Sequence, residues 1–183
     1  MKRYFLLKVL LLVMGIFTLM QNAQAQRVAL KTNGLLWATL SPNIGAEFRV
    51  SRRFTVNAEL AGNPVSFGDF KPNYVAFQPE VRYWFSGRPH ARWFVGVAGL
   101  ATYYDMCFND TNHDGTAFGG GVTGGYSFVL GNRWSLETTL GLGVIRTKEC
   151  KFQVGSENPF VNNNNKTLVA PIKAGVTLVY ILK

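Results

Sequence analysis

The segment NDTNHDG at 109–115 carries residue types that could bind a cation. Asp110, Asn112 and Asp114, followed by a glycine, match the start of the D-x-N-x-D-G pattern of a calcium-binding loop. The bidentate acid that closes such a loop falls on Gly121, which has no side-chain oxygen. A turn built from Asn, Asp and Gly explains the same residues without an ion. These three residues are therefore weak metal candidates, and the sequence indicates no cofactor.

Two histidines are the remaining candidates for acid–base chemistry. His113 lies between Asp110 and Asp114, and a histidine oriented by a carboxylate is one part of a hydrolytic triad. The hydroxyl groups next to it in the sequence belong to threonines, and no serine lies beside it. His90 falls in a predicted turn. The sequence therefore indicates no catalytic residue, although an enzyme that uses His113 stays open as an alternative.

The first 25 residues have the layout of a secretory signal peptide. A basic start is followed by an apolar run over 9–20, too short to span a bilayer, and by the small-x-small site Ala23-Gln24-Ala25. We therefore predict a signal peptide at 1–25, removed on export, and one mature domain at 26–183. Without the three basic residues of the signal, 16 Lys and Arg face 10 Asp and Glu, with no long basic cluster. An exported chain of this kind is not expected to bind nucleic acid.

Beyond residue 26 the chain alternates between apolar and polar residues, in segments separated by turn residues. This pattern predicts β-strands, in which successive side chains point to opposite faces. Short and long connections alternate along the chain, as they do at the two ends of an up-and-down barrel. The eight predicted strands are 28–40, 44–50, 54–64, 74–85, 93–104, 118–130, 134–146 and 169–182.

The segment QPEVRYWF at 78–85 shows what the alternation separates. Val81 and Tyr83 share one face, whereas Glu80 and Arg82 share the other. An unpaired charge inside a narrow barrel costs several kcal/mol, so charges placed there need partners. The polar faces of all strands carry four acidic and four basic residues, which we predict to form an interior ion-pair network. Its predicted members are Lys31, Glu47, Arg49, Glu59, Glu80, Arg82, Glu137 and Lys173.

Two kinds of barrel could hold such strands: a soluble one with an apolar interior, or a membrane one with the polar face inside. Glycines concentrate on the charged face, where an eight-stranded interior has little room. Aromatic residues mark both ends of the strands, as in the two girdles of a membrane barrel. They are Phe54, Phe85, Trp93, Trp134 and Tyr180 at the ends with short turns, and Phe67, Tyr74, Tyr103 and Phe118 at the ends with long loops.

We therefore predict an all-β protein, an eight-stranded antiparallel up-and-down transmembrane β-barrel of the outer membrane. Its interior is polar and charged, and both termini are periplasmic. The alternative is a soluble periplasmic ligand-binding barrel, which would require the apolar face inside.

Four stretches of the chain carry a resemblance to a known family. They are ALKTNGLLWATLSPNIGAEF at 29–48, QPEVRYWF at 78–85, LGNRWSLETTLGLG at 130–143 and APIKAGVTLVYILK at 170–183. On these the chain resembles a family of small outer-membrane barrel proteins of unknown function from Gram-negative bacteria. The resemblance implies an eight-stranded fold, a surface location and no catalytic residue, with fimbria-type surface proteins as a hint about partners. Members often carry a cysteine pair in the final loop, of which this chain has only Cys150.

Cys107 and Cys150 lie 43 residues apart, in the two longest predicted connections and at the same predicted end of the barrel. Export would permit a disulfide between them, which is our hypothesis, and two exposed free thiols are the alternative. The sequence contains no Cys-x-x-Cys pair and no Cys/His cluster that would indicate zinc.

These features together predict a monomeric, non-enzymatic interaction scaffold of the cell envelope, with loops 105–117 and 147–168 exposed. Outer-membrane lipid is the expected partner, and envelope or fimbria-type surface proteins are a second class of candidates. Eight strands leave no wide pore, so the interior charges should block the lumen. The alternative function is an outer-membrane lipid-modifying enzyme that uses His113.

Overall fold

A computed structural model describes residues 28–63, 71–108, 111–153 and 164–182 of the chain. Eight antiparallel strands follow one another around a closed barrel, and the last strand pairs with the first. This confirms the predicted eight-stranded up-and-down barrel. Its elements are β1 (Val28–Asn33), α1 (Gly34–Ala38), β2 (Asn43–Arg49), β3 (Phe54–Asn63), β4 (Lys71–Trp84), β5 (Arg92–Phe108), β6 (Thr111–Val129), β7 (Trp134–Gln153) and β8 (Asn164–Ile181).

The barrel has two distinct ends. At one end, which we call the turn end, short segments join β2 to β3, β4 to β5 and β6 to β7, and β1 begins beside the end of β8. The opposite end, the loop end, holds the connections β1–β2, β3–β4, β5–β6 and β7–β8. A hydrogen bond from the Leu182 amide to the Val28 carbonyl, at 2.7 Å, brings the first and last strands together at the turn end.

The alternation along each strand places charge inside the barrel and apolar side chains outside. Glu80 and Arg82 are 2% and 1% exposed, whereas Val81 between them is 50% exposed. On β5 and β7, Val97 and Leu140 are among the most exposed large side chains. The polarity is therefore inverted relative to a protein with an apolar core.

The first predicted strand is shorter than expected, because a helical turn replaces its second half. Asn33 ends β1 and caps α1, since its side chain accepts a hydrogen bond from the Leu35 amide at 3.1 Å. The Trp37 indole then donates to the Thr32 hydroxyl at 2.7 Å, which holds the helix against the barrel. The apolar run that predicted a strand over 28–40 thus becomes a strand, a helix and a tight turn at Leu40, where φ is 55°. Within the described residues no helix is long and apolar enough to cross a membrane.

The strands of the second half are longer than predicted. β5 extends to Phe108 and β6 begins at Thr111, so most of the segment predicted as loop 105–117 is paired strand. β7 likewise continues to Gln153 and β8 starts at Asn164, inside the predicted loop 147–168. The polar composition of these segments indicated loops. Backbone pairing between strands nevertheless continues through them, beyond the part of the barrel that has apolar residues outside.

Because β1 is short, it covers only part of the edge of β8. The pairs between these strands run from Ala29–Ile181 to Asn33–Thr177. Beyond them, side chains satisfy the carbonyls of β8: Asn33 Nδ2 donates to the Ala174 oxygen at 3.1 Å, and Gln78 Nε2 donates to the Ile172 oxygen at 2.6 Å. These two amides therefore give partners to two β8 carbonyls beyond the reach of β1.

Glycines give the interior charges room. A Cβ on Gly45 would lie 2.7 Å from the Glu59 Cγ and 3.4 Å from the Lys31 Cβ. A Cβ on Gly96 would lie 2.6 Å from the Thr123 Oγ1 and 2.9 Å from a carboxylate oxygen of Glu80. These glycines are therefore part of how an eight-stranded barrel accommodates long charged side chains.

Substitution Gly96→Ala is expected to destabilise the barrel by about 1–3 kcal/mol, because the new methyl group must displace Thr123, Glu80 and the backbone of Val81. Gly131→Ala is the matched control, since a Cβ at that position meets no atom within 4 Å. Urea unfolding in detergent measures both free energies. Equal unfolding midpoints for the two variants would contradict the packing argument.

Candidate functional site

Arg82 of β4 lies in the barrel interior and contacts carboxylates from four strands, its own included. Its Nη1 atom is 3.0 Å from Glu47 Oε2 and 2.9 Å from Glu137 Oε2. Its Nη2 atom is 2.8 Å from Glu80 Oε2 and 4.0 Å from Glu59 Oε1. Arg82 and Glu80 form an ion pair along one strand because residues two apart share a face. One guanidinium thus links all four interior acids.

Lys31 of β1 holds the two acids nearest the turn end. Its ammonium forms ion pairs with Glu47 and with Glu137, the latter at 2.5 Å. The second oxygen of Glu47 accepts a hydrogen bond from the Thr55 hydroxyl, and the Trp84 indole donates to the same hydroxyl at 2.9 Å. The carboxylate of Glu47 is therefore fully used by neighbours from three other strands.

Lys173 of β8 forms ion pairs with the other two acids, Glu59 and Glu80. Its ammonium lies 2.9 Å from Glu59 Oε1 and 2.9 Å from Glu80 Oε2. The Thr123 hydroxyl donates to Glu80 Oε1 at 2.5 Å, and Asn57 Nδ2 donates to Glu59 Oε1 at 2.8 Å. Charges from β1, β2, β3, β4, β7 and β8 thus form one continuous cluster, which we call the interior network (Lys31, Glu47, Glu59, Glu80, Arg82, Glu137 and Lys173).

His90 joins this network, which its position in a predicted turn did not indicate. The β4–β5 turn folds back into the turn end of the barrel, and His90 is buried with a φ of 59°. Its Nδ1 atom lies 3.4 Å from Glu137 Oε1 and 3.9 Å from Glu47 Oε2. Its backbone carbonyl accepts hydrogen bonds from the hydroxyls of Ser127 and Ser135, at 2.9 and 3.2 Å. The turn therefore acts as a plug whose backbone and side chain are both anchored.

The formal charges of the interior network do not cancel. Four carboxylates face one guanidinium and two ammonium groups, which leaves one negative charge. Each of the four carboxylates nevertheless lies within 4.0 Å of at least one of these cations. Such pairing is needed because an unpaired charge in a low-dielectric interior is costly.

Glu47, His90 and Glu137 have the donor types of a metal site, and their donor atoms lie within 4.8 Å of one another. The same two carboxylates, however, are bridged by the ammonium of Lys31. A metal ion between them would meet this ammonium and the guanidinium of Arg82 at close range. The arrangement therefore already contains its cation and fits a structural cluster better than a metal centre.

Arg49 is the predicted member that lies outside the interior network. It has the same parity as Glu47, but β2 ends at Arg49, at the mouth of the barrel. Its Nε atom donates to the backbone oxygen of Ser51 at 3.2 Å instead of reaching an interior acid. The alternation along β2 predicted the correct face for Arg49. The strand ends at this residue, however, so its side chain lies at the mouth of the barrel, near water.

The calcium and histidine candidates of the loop end fall at the tip of the β5–β6 hairpin. Asn112, His113 and Asp114 are strand residues of β6, opposite Cys107, Met106 and Asp105 of β5. A strand does not have the compact geometry of a helix–loop–helix calcium site. Asp110 lies outside the described residues, as do the side chains of the other three, so the proposed chemistry here stays a prediction.

The two cysteines occupy strands that flank β6. Cys107 of β5 is opposite Asn112, and Cys150 of β7 is opposite Asp114. Two interstrand spacings amount to about 10 Å, which is more than the Cα separation of a disulfide. Their side chains lie outside the described part of the chain. The disulfide stays a prediction, and it requires these strand ends to depart from this register.

Aromatic side chains complete the closure of the lumen. The Arg82 guanidinium lies 4.5 Å from the centre of the Phe94 ring, and Trp84 packs on Phe94 with ring centroids 4.8 Å apart. Trp84 also contacts His90, at 5.5 Å between ring centroids. Charge, rings and the plug turn thus fill the barrel near the turn end. These contacts hold the strands together at this end of the barrel.

A family model described as Protein of unknown function (DUF3575) matches residues 9–182. The chain belongs to this family. Comparison with curated proteins gives no match. Comparison with solved structures gives none either. The family covers every strand of the barrel and assigns no activity, so the function has to be argued from the geometry.

Substitution Arg82→Met is expected to lower the free energy of unfolding by about 3–5 kcal/mol, because it leaves buried carboxylates without their shared partner. Arg88→Met is the matched control at the exposed turn and should change stability by less than about 1 kcal/mol. Urea unfolding in detergent measures both variants.

Adding Glu80→Gln to Arg82→Met should cost less than the sum of the two single changes, because it removes one of the acids that lost its partner. Additive losses, or an Arg82→Met variant as stable as the Arg88→Met control, would show that the interior network does not stabilise the barrel.

The filled interior also predicts that the barrel conducts ions negligibly in planar lipid bilayers. The guanidinium and ammonium groups are held within hydrogen-bond distance of their acids and offer no continuous aqueous path. Stable single-channel current steps from purified protein, absent from detergent alone, would contradict this.

Proposed function

We propose that this protein is a barrel of the bacterial outer membrane, serving as a non-enzymatic interaction scaffold of the cell envelope. The observation that carries the proposal is the inverted polarity of the barrel. Apolar side chains surround its outside, including Val97 and Leu140, while the interior network occupies its inside. A soluble protein rarely exposes an apolar surface larger than a few hundred square ångströms, so this exterior favours lipid as its solvent.

Aromatic side chains of the turn end support the same proposal. Rings there contact one another around the outside: Phe54 and Tyr83 have centroids 5.2 Å apart, and Trp134 and Tyr180 have centroids 4.7 Å apart. Tyrosine and tryptophan prefer the boundary between hydrocarbon and headgroups. The complete set, which we call the aromatic belt, is Phe54, Tyr83, Phe85, Trp93, Tyr126, Phe128, Trp134 and Tyr180.

The lengths of the strands support a scaffold function at the loop end. A tilted transmembrane strand needs about 9–11 residues, whereas β6 and β7 have 19 and 20. With the aromatic belt at one boundary of the bilayer, roughly half of each strand projects beyond the other. This projecting sheet includes most of 105–117 and the start of 147–168, and it offers envelope or fimbria-type surface proteins a rigid surface.

The lipid-modifying alternative has less support from the backbone. His113 lies five residues beyond Phe118, which is the loop-end aromatic residue of the same strand. That distance is about 16 Å along the strand, so His113 stands above the expected bilayer boundary and not at its rim. An enzyme acting on membrane lipid needs its catalytic group at that rim. The scaffold is therefore the function that we propose.

Fractionation of the cell envelope tests the membrane proposal. We expect the protein to stay with outer membranes through osmotic shock and carbonate washing, and to be extracted by detergent. It should also migrate faster on a denaturing gel without boiling than after boiling, because a closed barrel resists unfolding in detergent. Release by osmotic shock with no mobility shift would overturn the proposal and favour a soluble periplasmic barrel.

A further inference from the structure

Arginines recur at one position of every turn at the turn end of the barrel. At each of the three turns an arginine directly precedes an aromatic residue of the aromatic belt: Arg53 and Arg133 end their turns, and Arg92 is the first residue of β5. The three pairs are Arg53-Phe54, Arg92-Trp93 and Arg133-Trp134. Because β3, β5 and β7 alternate around the barrel, neighbouring arginines of this set are separated by two interstrand spacings, about 10 Å.

Further arginines lie in the described turn segments, which contain no acidic residue of their own. Arg49, Arg52 and Arg88 belong to the same turns, and the described segments 49–54, 85–93 and 130–134 contain no Asp or Glu. The acids of the chain lie elsewhere: four are in the interior network, and six fall in or beside the connections of the loop end. Those six are Asp69, Asp105, Asp110, Asp114, Glu149 and Glu157.

The guanidinium groups of the turns are exposed and keep donors for an external partner. None of the ion pairs among the described residues involves Arg53, Arg92 or Arg133. Arg53 Nη1 donates to the Tyr83 hydroxyl at 2.9 Å, and Arg133 Nη1 donates to the Tyr180 hydroxyl at 3.3 Å. A guanidinium has five N–H groups, so each of these bonds leaves most of them available. The two bonds fix the arginines beside the aromatic belt.

We propose that Arg53, Arg92 and Arg133 form a phosphate-binding ring for anionic phospholipids in the bilayer leaflet at the turn end. This inference rests on the proposed membrane location. The aromatic belt occupies the headgroup boundary, and each arginine is one residue further from the hydrocarbon. A guanidinium pairs with a phosphate in bidentate geometry, which makes arginine the matching side chain for this chemistry.

The distribution of the charge favours lipid over an acidic partner protein. A protein partner would be served by basic residues gathered on one face, whereas these arginines lie on alternate strands around the barrel. Arg53 and Arg133 each donate to a tyrosine of the aromatic belt, and Arg92 directly precedes Trp93. Lipid headgroups are the partner that surrounds a barrel at one height, so the repeated Arg–aromatic pair fits them.

Tryptophan fluorescence tests the ring, because Trp93 and Trp134 lie beside two of its arginines. The mature protein, in a Trp37→Phe background, is inserted into vesicles of phosphatidylcholine with a minority of phosphatidylglycerol. Two vesicle preparations have the same lipid composition. In one, the acyl chains of phosphatidylcholine carry bromine atoms, which quench tryptophan fluorescence. In the other, the acyl chains of phosphatidylglycerol carry them. We expect phosphatidylglycerol to quench about twofold more than its mole fraction predicts, and this excess to fall at high salt.

In the triple variant Arg53→Gln, Arg92→Gln, Arg133→Gln, quenching by phosphatidylglycerol should match its mole fraction, with no excess. The matched control removes three exposed basic residues of the loop end, with Arg146→Gln, Lys148→Gln and Lys166→Gln, and should keep the excess. The heat-dependent mobility shift on a gel tests whether each variant is inserted. The comparison of the two lipids at low and high salt uses the protein with all three arginines, so it does not depend on the folding of any variant.

Quenching by mole fraction in the protein that keeps all three arginines, with a normal mobility shift, would overturn the ring and leave the membrane proposal standing. An equal loss of the excess in the control variant would also overturn it, since the effect would then come from total charge. Absence of quenching by either lipid, together with absence of the shift, would overturn the membrane proposal itself.

Discussion

The structure depends on one constraint, which is that charges enclosed in a barrel must be paired with one another. Arg82 meets this constraint by contacting acids from four strands, and Lys31 and Lys173 complete the pairing. Because the partners come from six strands, the cluster forms only when the sheet is closed in its observed register. The same pairing explains the glycines opposite the charges, since Gly45 and Gly96 leave the space that the charged side chains occupy. The interior network thus specifies closure, register and the places where a side chain must be absent.

The exterior follows from the same arrangement. Once polar side chains are used inside, alternation leaves apolar ones outside, and a surface of that kind is compatible with hydrocarbon. Closure also removes the strand edges that lipid cannot satisfy, apart from the stretch of β8 beyond β1. There the amides of Asn33 and Gln78 replace the missing backbone partners. Two side chains thus compensate in part for the short first strand.

The sequence predicted those features that depend on local periodicity. Alternation within a strand assigns each side chain to a face, so the strands and all seven residues of the interior network could be predicted, together with Arg49, which lies outside it. Features that depend on the closed barrel could not be predicted in this way. Arg49 has interior parity, yet β2 ends there. His90 reaches the interior because a turn folds back, which no pattern within that turn indicates. The apolar run 34–40 is compatible with a strand or a helix, and the cap at Asn33 decides for the helix.

On the proposed membrane location, the division of residues within the chain indicates where recognition is expected. The interior charges pair with one another, and the apolar exterior would face lipid, so we expect neither to recognise a specific partner. The two ends remain, and they differ in chemistry: one has arginines in its turns, and the other has long polar strands. A barrel built in this way holds two different surfaces at a fixed separation. We therefore place the proposed recognition of a protein partner at the loop end, because the regular Arg–aromatic repeat of the turn end carries little information beyond its charge.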